Sequence, residues 1–254
     1  MAKNWFEAQK NEKHFWKEIY LKNKNKKKDI YERINVSGAV GFTNQVVSRH
    51  KKKLKHFDKK KIVDLGCGAY GVIMGFLELE KKKNFKIKKI IGIDPLMNFF
   101  KKLKLINTNK KLSLVQGSGE KITLKKHEVD FIFCVNVLDH VKDPQKVIKE
   151  CRRVLKKDGE FYVSVHVIFP YLRLIKGLIK YFDKNHPHHF LESEFYNLLK
   201  KDFKKVDRKY SCKMIEDHKD FNFRNIFKHK NIFKGIKRAI SNYVLYTVYY
   251  NCSN

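Results

Sequence analysis

The chain has 254 residues, 43% of them hydrophobic and 13% aromatic, enough apolar matter for a sizeable core and too much for a disordered chain. Its 57 Lys+Arg against 26 Asp+Glu give a net charge of +31, a field that draws polyanions such as RNA, anionic headgroups or phosphorylated metabolites. The N-terminal residues lack the basic-then-apolar pattern of a secretory signal, and the most apolar stretches, Phe161–Leu172 and Tyr243–Tyr250, are too short to span a bilayer.

Residues 4–35 read as a polar helical segment, with Trp5, Phe6, Phe15, Trp16, Ile19 and Tyr20 at helix-like intervals. A regular alternation then begins. Lys61–Gly66 reads as a strand and about Tyr70–Glu80 as a helix, followed by a second strand, Ile87–Asp94, and a helix over about Leu96–Leu105. Leu112–Gln116 is a short third strand. Val129–Val135 is a fourth, nearly all apolar, as a strand covered on both faces must be. A helix over about Pro144–Leu155 leads to a fifth strand, Glu160–His166. Helix Glu192–Lys201 leads to a sixth strand near Phe203–Tyr210, and Tyr243–Tyr250 reads as the last. Strands alternating with helices predict an α/β fold, a mostly parallel sheet with helices on both faces. No internal repeat and no Pro- or Gly-rich linker divides it. The main domain is taken as residues 59–254, with an N-terminal helical segment, 1–58, packing on the core.

Between the first strand and its helix stands Val63-Asp64-Leu65-Gly66-Cys67-Gly68-Ala69-Tyr70-Gly71. Glycines there allow a tight turn and close approach of backbone amides to a ligand, and the helix start favours polar or anionic groups. Alone, Gly66-x-Gly68-x-x-Gly71 also fits a dinucleotide fingerprint or a ligand-free turn. Asp94 closes the second strand, and a carboxylate at such a strand end can accept both protons of a vicinal diol.

The segment VDLGCGAYG resembles the first motif of the class I S-adenosylmethionine-dependent methyltransferases, with an acid two residues before the first glycine. In IGIDP, Asp94 stands where that family places an acid on the ribose. Gly117-Ser118-Gly119-Glu120 is similar to its adenine-side loop, with Ser118 where an Asp is usual. The run Val129–Ser164, VDFIFCVNVLDHVKDPQKVIKECRRVLKKDGEFYVS, is similar to a pattern in which strand four ends in Asn-x-Leu-Asp/Glu-His, Asp-Pro opens a helix, and R-V-L-K-x-x-G enters strand five. The resemblance covers about residues 60–166. It implies a Rossmann-like, seven-stranded sheet with its last strand antiparallel. It also implies S-adenosyl-L-methionine as cofactor, held beyond the strand ends by Asp64, Gly66, Gly68, Asp94, Pro95, Gly119, Glu120, Asn136 and Val137. Asn136 would face the amino-acid part of the cofactor.

If the acceptor is a hydroxyl, a base should help remove its proton, and His140, after strand four, and His166, at the end of strand five, are the catalytic candidates. Asp139 reads as a cap or an orienting partner. His186-Pro187-His188-His189 reads as a substrate-side loop, with no metal expected, because ligands need convergent geometry and usually a carboxylate or thiolate partner. Five scattered cysteines, Cys67, Cys134, Cys151, Cys212 and Cys252, form no Cys-x-x-Cys pair and predict reduced thiols in a cytoplasmic protein.

Lysine clusters such as Lys59–Lys61, Lys81–Lys83 and Lys110–Lys111 precede strands and should lie on the face away from the cofactor. The segments 167–189 and 211–241, basic and aromatic, should form a substrate-side cover, suited to an acidic or lipid-linked acceptor or to stacked single-stranded RNA. The favoured reading is methylation of a small molecule or saccharide. An RNA methyltransferase is the alternative, suggested only by charge, since no N-P-P-Y motif or appended RNA-binding module occurs. A cofactor-binding partner subunit without turnover ranks third. Peripheral contact with an anionic membrane surface is left open, as is the oligomeric state.

Overall fold

A computed structural model describes residues 2–24, 37–69, 71–82, 85–103, 110–177, 179, 186–213 and 244–254. Helix α1 (Ala2–Lys24) comes first, then α2 (Ser37–Arg49), within the N-terminal segment 1–58 expected to be helical but beyond the residues 4–35 singled out in it. The alternation follows: β1 (Lys61–Leu65), α3 (Val72–Lys82), β2 (Lys89–Asp94), α4 (Met97–Lys102), β3 (Leu112–Gln116), β4 (Val129–Val135), α5 (Pro144–Val154) and β5 (Leu155–Ile168). A two-residue strand, β6 (Phe190–Leu191), then precedes α6 (Glu192–Lys200), β7 (Lys205–Lys213) and β8 (Leu245–Ser253).

The strands form one sheet in the order β3-β2-β1-β4-β5-β8-β7, with β6 paired to β5 outside that path. All pairings from β3 across to β5 are parallel, and β8 runs antiparallel to both β5 and β7. The main path therefore has the seven strands expected, and β6 makes an eighth. The last strand begins two residues later than the sequence suggested and runs on to Ser253.

Alternate residues of the central strands feed two cores, as the two-residue strand period requires. Val63, Leu65, Ile132, Cys134, Phe161 and Val163 pack with Val147, Ile148 and Cys151 of α5 and Phe195 and Leu199 of α6. On the other face Ile62, Phe131, Phe133 and Tyr162 meet Val46 and Val47 of α2, Ile73 and Phe76 of α3, and Phe100 of α4. Helix α5 starts where Asp143 accepts from the Lys146 amide at 3.0 Å, with Pro144 in the first turn, where its missing N–H costs nothing.

Helix α2 ends against β8. The buried His50 ring shares a 2.7 Å hydrogen bond between Nδ1 and Asn251 Oδ1, and the Asn251 amide donates to the His50 carbonyl at 3.1 Å. Burial, opposed by the Asn251 bond, pushes the His50 imidazole down from 6.5 to about 4.

At the strand starts, acids meet several of the lysines: Lys156 lies 2.8 Å from Asp130, Lys52 2.8 Å from Glu160, and Lys111 2.6 Å from Glu80. The basic cover at 211–241 falls almost entirely outside the described residues, as does part of 167–189. The described part includes a 3-10 turn, Pro170–Ile175, with Tyr171, Leu174 and Ile175 exposed. No helix among the described residues is long and apolar enough to cross a membrane.

Candidate active site

In a parallel sheet the crevice opens beyond the carboxyl ends of the strands, where the order reverses. Here β2 and β4 flank β1, and a cavity of about 490 Å³ lies at their ends. The loop after β1 contributes Asp64, Gly66 and Gly68; the end of β2 contributes Asp94 and Pro95. Gly119 and Glu120 line it from the loop after β3, and Asn136, Val137 and His140 from the segment after β4. All nine residues expected on the cofactor therefore border one cavity, with His140 beside them.

The glycine loop is shaped by necessity. Gly66 and Gly68 have φ of +69° and +55°, in the left-handed region that side chains disfavour. A Cβ on Gly66 would lie 2.4 Å from Val137 Cγ2, and one on Gly71 would lie 2.2 Å from Asp64 Oδ2. The Asp64 carboxylate in turn accepts from the Ile73 amide at 3.2 Å, joining the loop to the first turn of α3. Burial raises this carboxyl to about 7, against the pull of its backbone hydrogen bonds.

Asp94 is held from both sides. Its Oδ2 accepts from the Gly68 amide at 2.9 Å and its Oδ1 from the Leu96 amide at 2.7 Å. Each oxygen keeps a lone pair for a further donor, which fits a vicinal diol. Burial, again opposed by the backbone bonds, lifts this carboxyl to about 6. Across the cavity, Asn136 has a φ of +55° and its amide donates to the Ser164 carbonyl at 3.0 Å. An asparagine tolerates that conformation better than most residues, and such outliers gather at ligand sites. Glu120 accepts from the Lys142 amide at 2.9 Å, which ties the loop after β3 to the one before α5.

Sequence reasoning missed one wall. Trp5, Ala8, Gln9, Glu12 and Trp16 of α1 line the same cavity, and Trp16 packs edge-on against Phe100 with centroids 5.3 Å apart. Its indole N–H donates to Glu12 at 2.8 Å. The spacing 5, 8, 9, 12, 16 is one helical stripe, so the signal was present as periodicity; the surface it faces was not.

The two candidate bases part company. His140 borders the cavity, whereas His166 is absent from its lining and shares a 2.9 Å hydrogen bond with Thr247 Oγ1 of β8. Next to His140, the buried Asp139 keeps Oδ1 without a hydrogen-bond partner, 3.9 Å from His140 Nε2. Burial favours a neutral carboxyl there, but the charges of His140, His186 and His166 hold it below its ordinary value. The histidine-rich loop arrives at this point: the His186 ring lies tilted against His140 with centroids 4.5 Å apart.

Residues 63–163 match the family model described as a methyltransferase domain, and the strand order with its antiparallel β8 is that of Rossmann-like methyltransferases. A domain of this class uses S-adenosylmethionine, and the glycine cradle and the diol-ready Asp94 fit that cofactor. Among curated relatives, the ubiquinone biosynthesis O-methyltransferase of Citrobacter koseri is 30% identical over 106 residues, 41% of this chain and 42% of that one. The tRNA U34 carboxymethyltransferase of Campylobacter curvus is 30% identical over 115 residues, 44% of this chain and 37% of that one. The chain thus spans about two-fifths of the length of the curated relatives it matches. Among solved structures, the Streptomyces coelicolor geranyl diphosphate C-methyltransferase, in complex with Mg2+, geranyl diphosphate and S-adenosyl-L-homocysteine, superposes with a TM-score of 0.57. It is 12% identical, over 85% of this chain and 78% of that one. A methyltransferase from Haloferax volcanii in complex with the Trm112 activator gives the same TM-score at 13% identity, over 85% and 94% of the two chains.

Proposed function

We propose that the protein transfers a methyl group from S-adenosylmethionine to a small-molecule or saccharide acceptor. The observation that carries this reading is the Asp94 carboxyl at the cavity wall, each oxygen taking one backbone amide and keeping room for a ribose hydroxyl. The bound cofactor supplies an electrophilic methyl on a sulfonium. The chain's own part is to grip and align. Gly66 and Gly68 bring backbone close to the ligand, Asn136 and Val137 close the far side, and Glu120 borders the adenine end. Trp5 and Trp16 of α1 cover the cavity and keep water from it, which favours an in-line attack held in register. His140 is the titratable side chain that meets the acceptor's edge; His166 is the reserve candidate one strand away.

The segments 167–189 and 211–241 are assigned to the substrate-side cover, and residues 1–58 to a helical segment that completes the cofactor site. Five buried cysteines without disulfides suit a cytoplasmic setting. Calorimetric titration with S-adenosylmethionine and, separately, with NAD tests the cofactor: binding of the first alone is expected, and binding of NAD alone would overturn the reading.

RNA is the second reading, supported by the +31 charge and by the tRNA-modifying relative. Methyl incorporation into total RNA, with retention that falls steeply as salt rises, would select it over a small acceptor. Incorporation into small acidic metabolites or glycans, with no labelled RNA, is expected instead.

A further inference from the structure

We propose that Asp139, His140 and His186 form a binding site for one divalent transition-metal ion at the edge of the cofactor cavity. The ligand atoms of these three side chains all lie within 4.8 Å of one another. They come from two distant parts of the chain. Asp139 and His140 follow β4, and His186 opens the histidine-rich loop before β6.

The convergence is built by backbone. The His188 amide donates to the Asp139 carbonyl at 3.2 Å, and the His188 ring shares a 2.9 Å hydrogen bond with the Val141 carbonyl. The histidine loop is thereby pinned along residues 139–141, with the His186 ring beside that of His140. This overturns the reason for expecting no metal at the His-Pro-His-His run: the missing carboxylate is supplied by Asp139, 47 positions earlier in the chain.

The second observation is Asp139 itself. Only 2% of this residue is exposed, and its Oδ1 lies within the cluster with no hydrogen-bond partner. Its distance to His140 Nε2, 3.9 Å, is too long for a hydrogen bond. A buried carboxylate oxygen left unsatisfied is costly, so a direct polar cluster is a poor account of the arrangement. An ion is a good one. Ligands at about 2.1 Å from a tetrahedral ion stand roughly 3.4 Å apart, so the widest pair must close by about 1.4 Å. That closure falls to rotation of the His140 and His186 side chains, both half-buried. Two imidazoles and one carboxylate suit Zn2+ or a similar transition ion over Mg2+ or Ca2+, and three protein ligands leave open positions.

Because His140 is also a cavity residue, an open position here serves an oxygen of the acceptor. That role rests on the methyltransferase reading; the site itself does not.

The test uses the full chain, stripped by a chelator, then titrated with Zn2+ against a chromophoric competitor, with Mg2+ in parallel. One Zn2+ per chain is expected, with Mg2+ failing to compete, and a Co2+ form with visible d–d absorption. His186→Ala and the milder His140→Gln should each weaken Zn2+ at least tenfold. S-adenosylmethionine affinity and thermal melting are measured on the same samples, and His186→Ala should retain both. Zn2+ held as tightly by His186→Ala as by the parent, or no Zn2+ held by a parent that melts cooperatively, overturns the site. If Zn2+ binds at these residues while S-adenosylmethionine does not bind, the site stands and the proposed function falls. The reverse pattern removes the site alone.

Discussion

The Gly68 amide donates to Asp94 Oδ2 at 2.9 Å, so the loop after β1 and the end of β2 are joined at the point where the cavity opens. The bond couples cofactor recognition to a titration. Burial lifts the Asp94 carboxyl to about 6, and only the ionised form can accept from two hydroxyls while keeping both amides. The dissociation constant for S-adenosylmethionine is expected to rise as pH falls below about 6, approaching tenfold per pH unit. Asp94→Asn should bind more weakly and lose that dependence. Calorimetry from pH 8 to pH 5 checks both; a flat profile for the parent would remove Asp94 from the ribose.

Gly66 faces Val137 across the cavity floor, with no space between them for a side chain. In Gly66→Ala the new Cβ would lie 2.4 Å from Val137 Cγ2 at a φ of +69°. The conformation alone costs about 1–2 kcal/mol for an L-residue, and the overlap adds to it. Thermal melting should drop by several degrees and cofactor affinity by at least tenfold. Gly66→Ala with Val137→Ala removes the two methyl overlaps, leaves Val137 Cβ at 3.2 Å and keeps the backbone strain, so it should recover part of the loss. Full recovery would show that the strain at Gly66 and the remaining Cβ contact are both negligible.

The strands were legible because each carries its own signal. Val129–Val135 is apolar except for Asp130 and is buried along all but its last residue. The glycine loop and Asp94 were legible because their chemistry is local to a few residues, and all nine expected cofactor residues line one cavity. What the sequence hid was adjacency. Helix α1 shows its stripe at 5, 8, 12 and 16, but nothing in that pattern says the stripe faces Gly68 and Phe100. The short β6 has too few residues to show a period. His186 and Asp139 lie 47 positions apart, and only the pairing of the histidine loop with residues 139–141 brings them together.

Trp16 turns that hidden wall into a measurement. It is half-buried between Phe100 and the cavity, and a Cβ on Gly68 would sit 3.6 Å from its ring. Cofactor binding should therefore change tryptophan fluorescence. Trp16→Ala should weaken S-adenosylmethionine roughly tenfold, about 1.4 kcal/mol of lost contact. Melting in the absence of cofactor should fall by a few degrees as well, since Trp16 carries the contact of α1 with the core at Phe100. An unchanged affinity would mean that α1 opens away when ligand enters.

His50 sets the acid limit of the fold. Its ring is buried between α2 and β8, hydrogen-bonded to Asn251, and surrounded by Phe133, Tyr162 and Tyr249. Lys52 nearby opposes its protonation and Glu160 favours it, but burial dominates and places the folded pKa at about 4 against 6.5 unfolded. A depressed folded pKa gives stability that is complete above about 6.5 and is lost as pH falls toward 4, because the unfolded chain takes up the proton first. The loss over that window is expected to reach about 3 kcal/mol. Urea unfolding at pH 7.5, 6, 5 and 4 measures it, and His50→Gln, which carries no charge to bury, should flatten most of the slope. If the slope persists in that variant, the proton goes elsewhere, and His56, at the surface but also held below its ordinary value, is the next residue to replace.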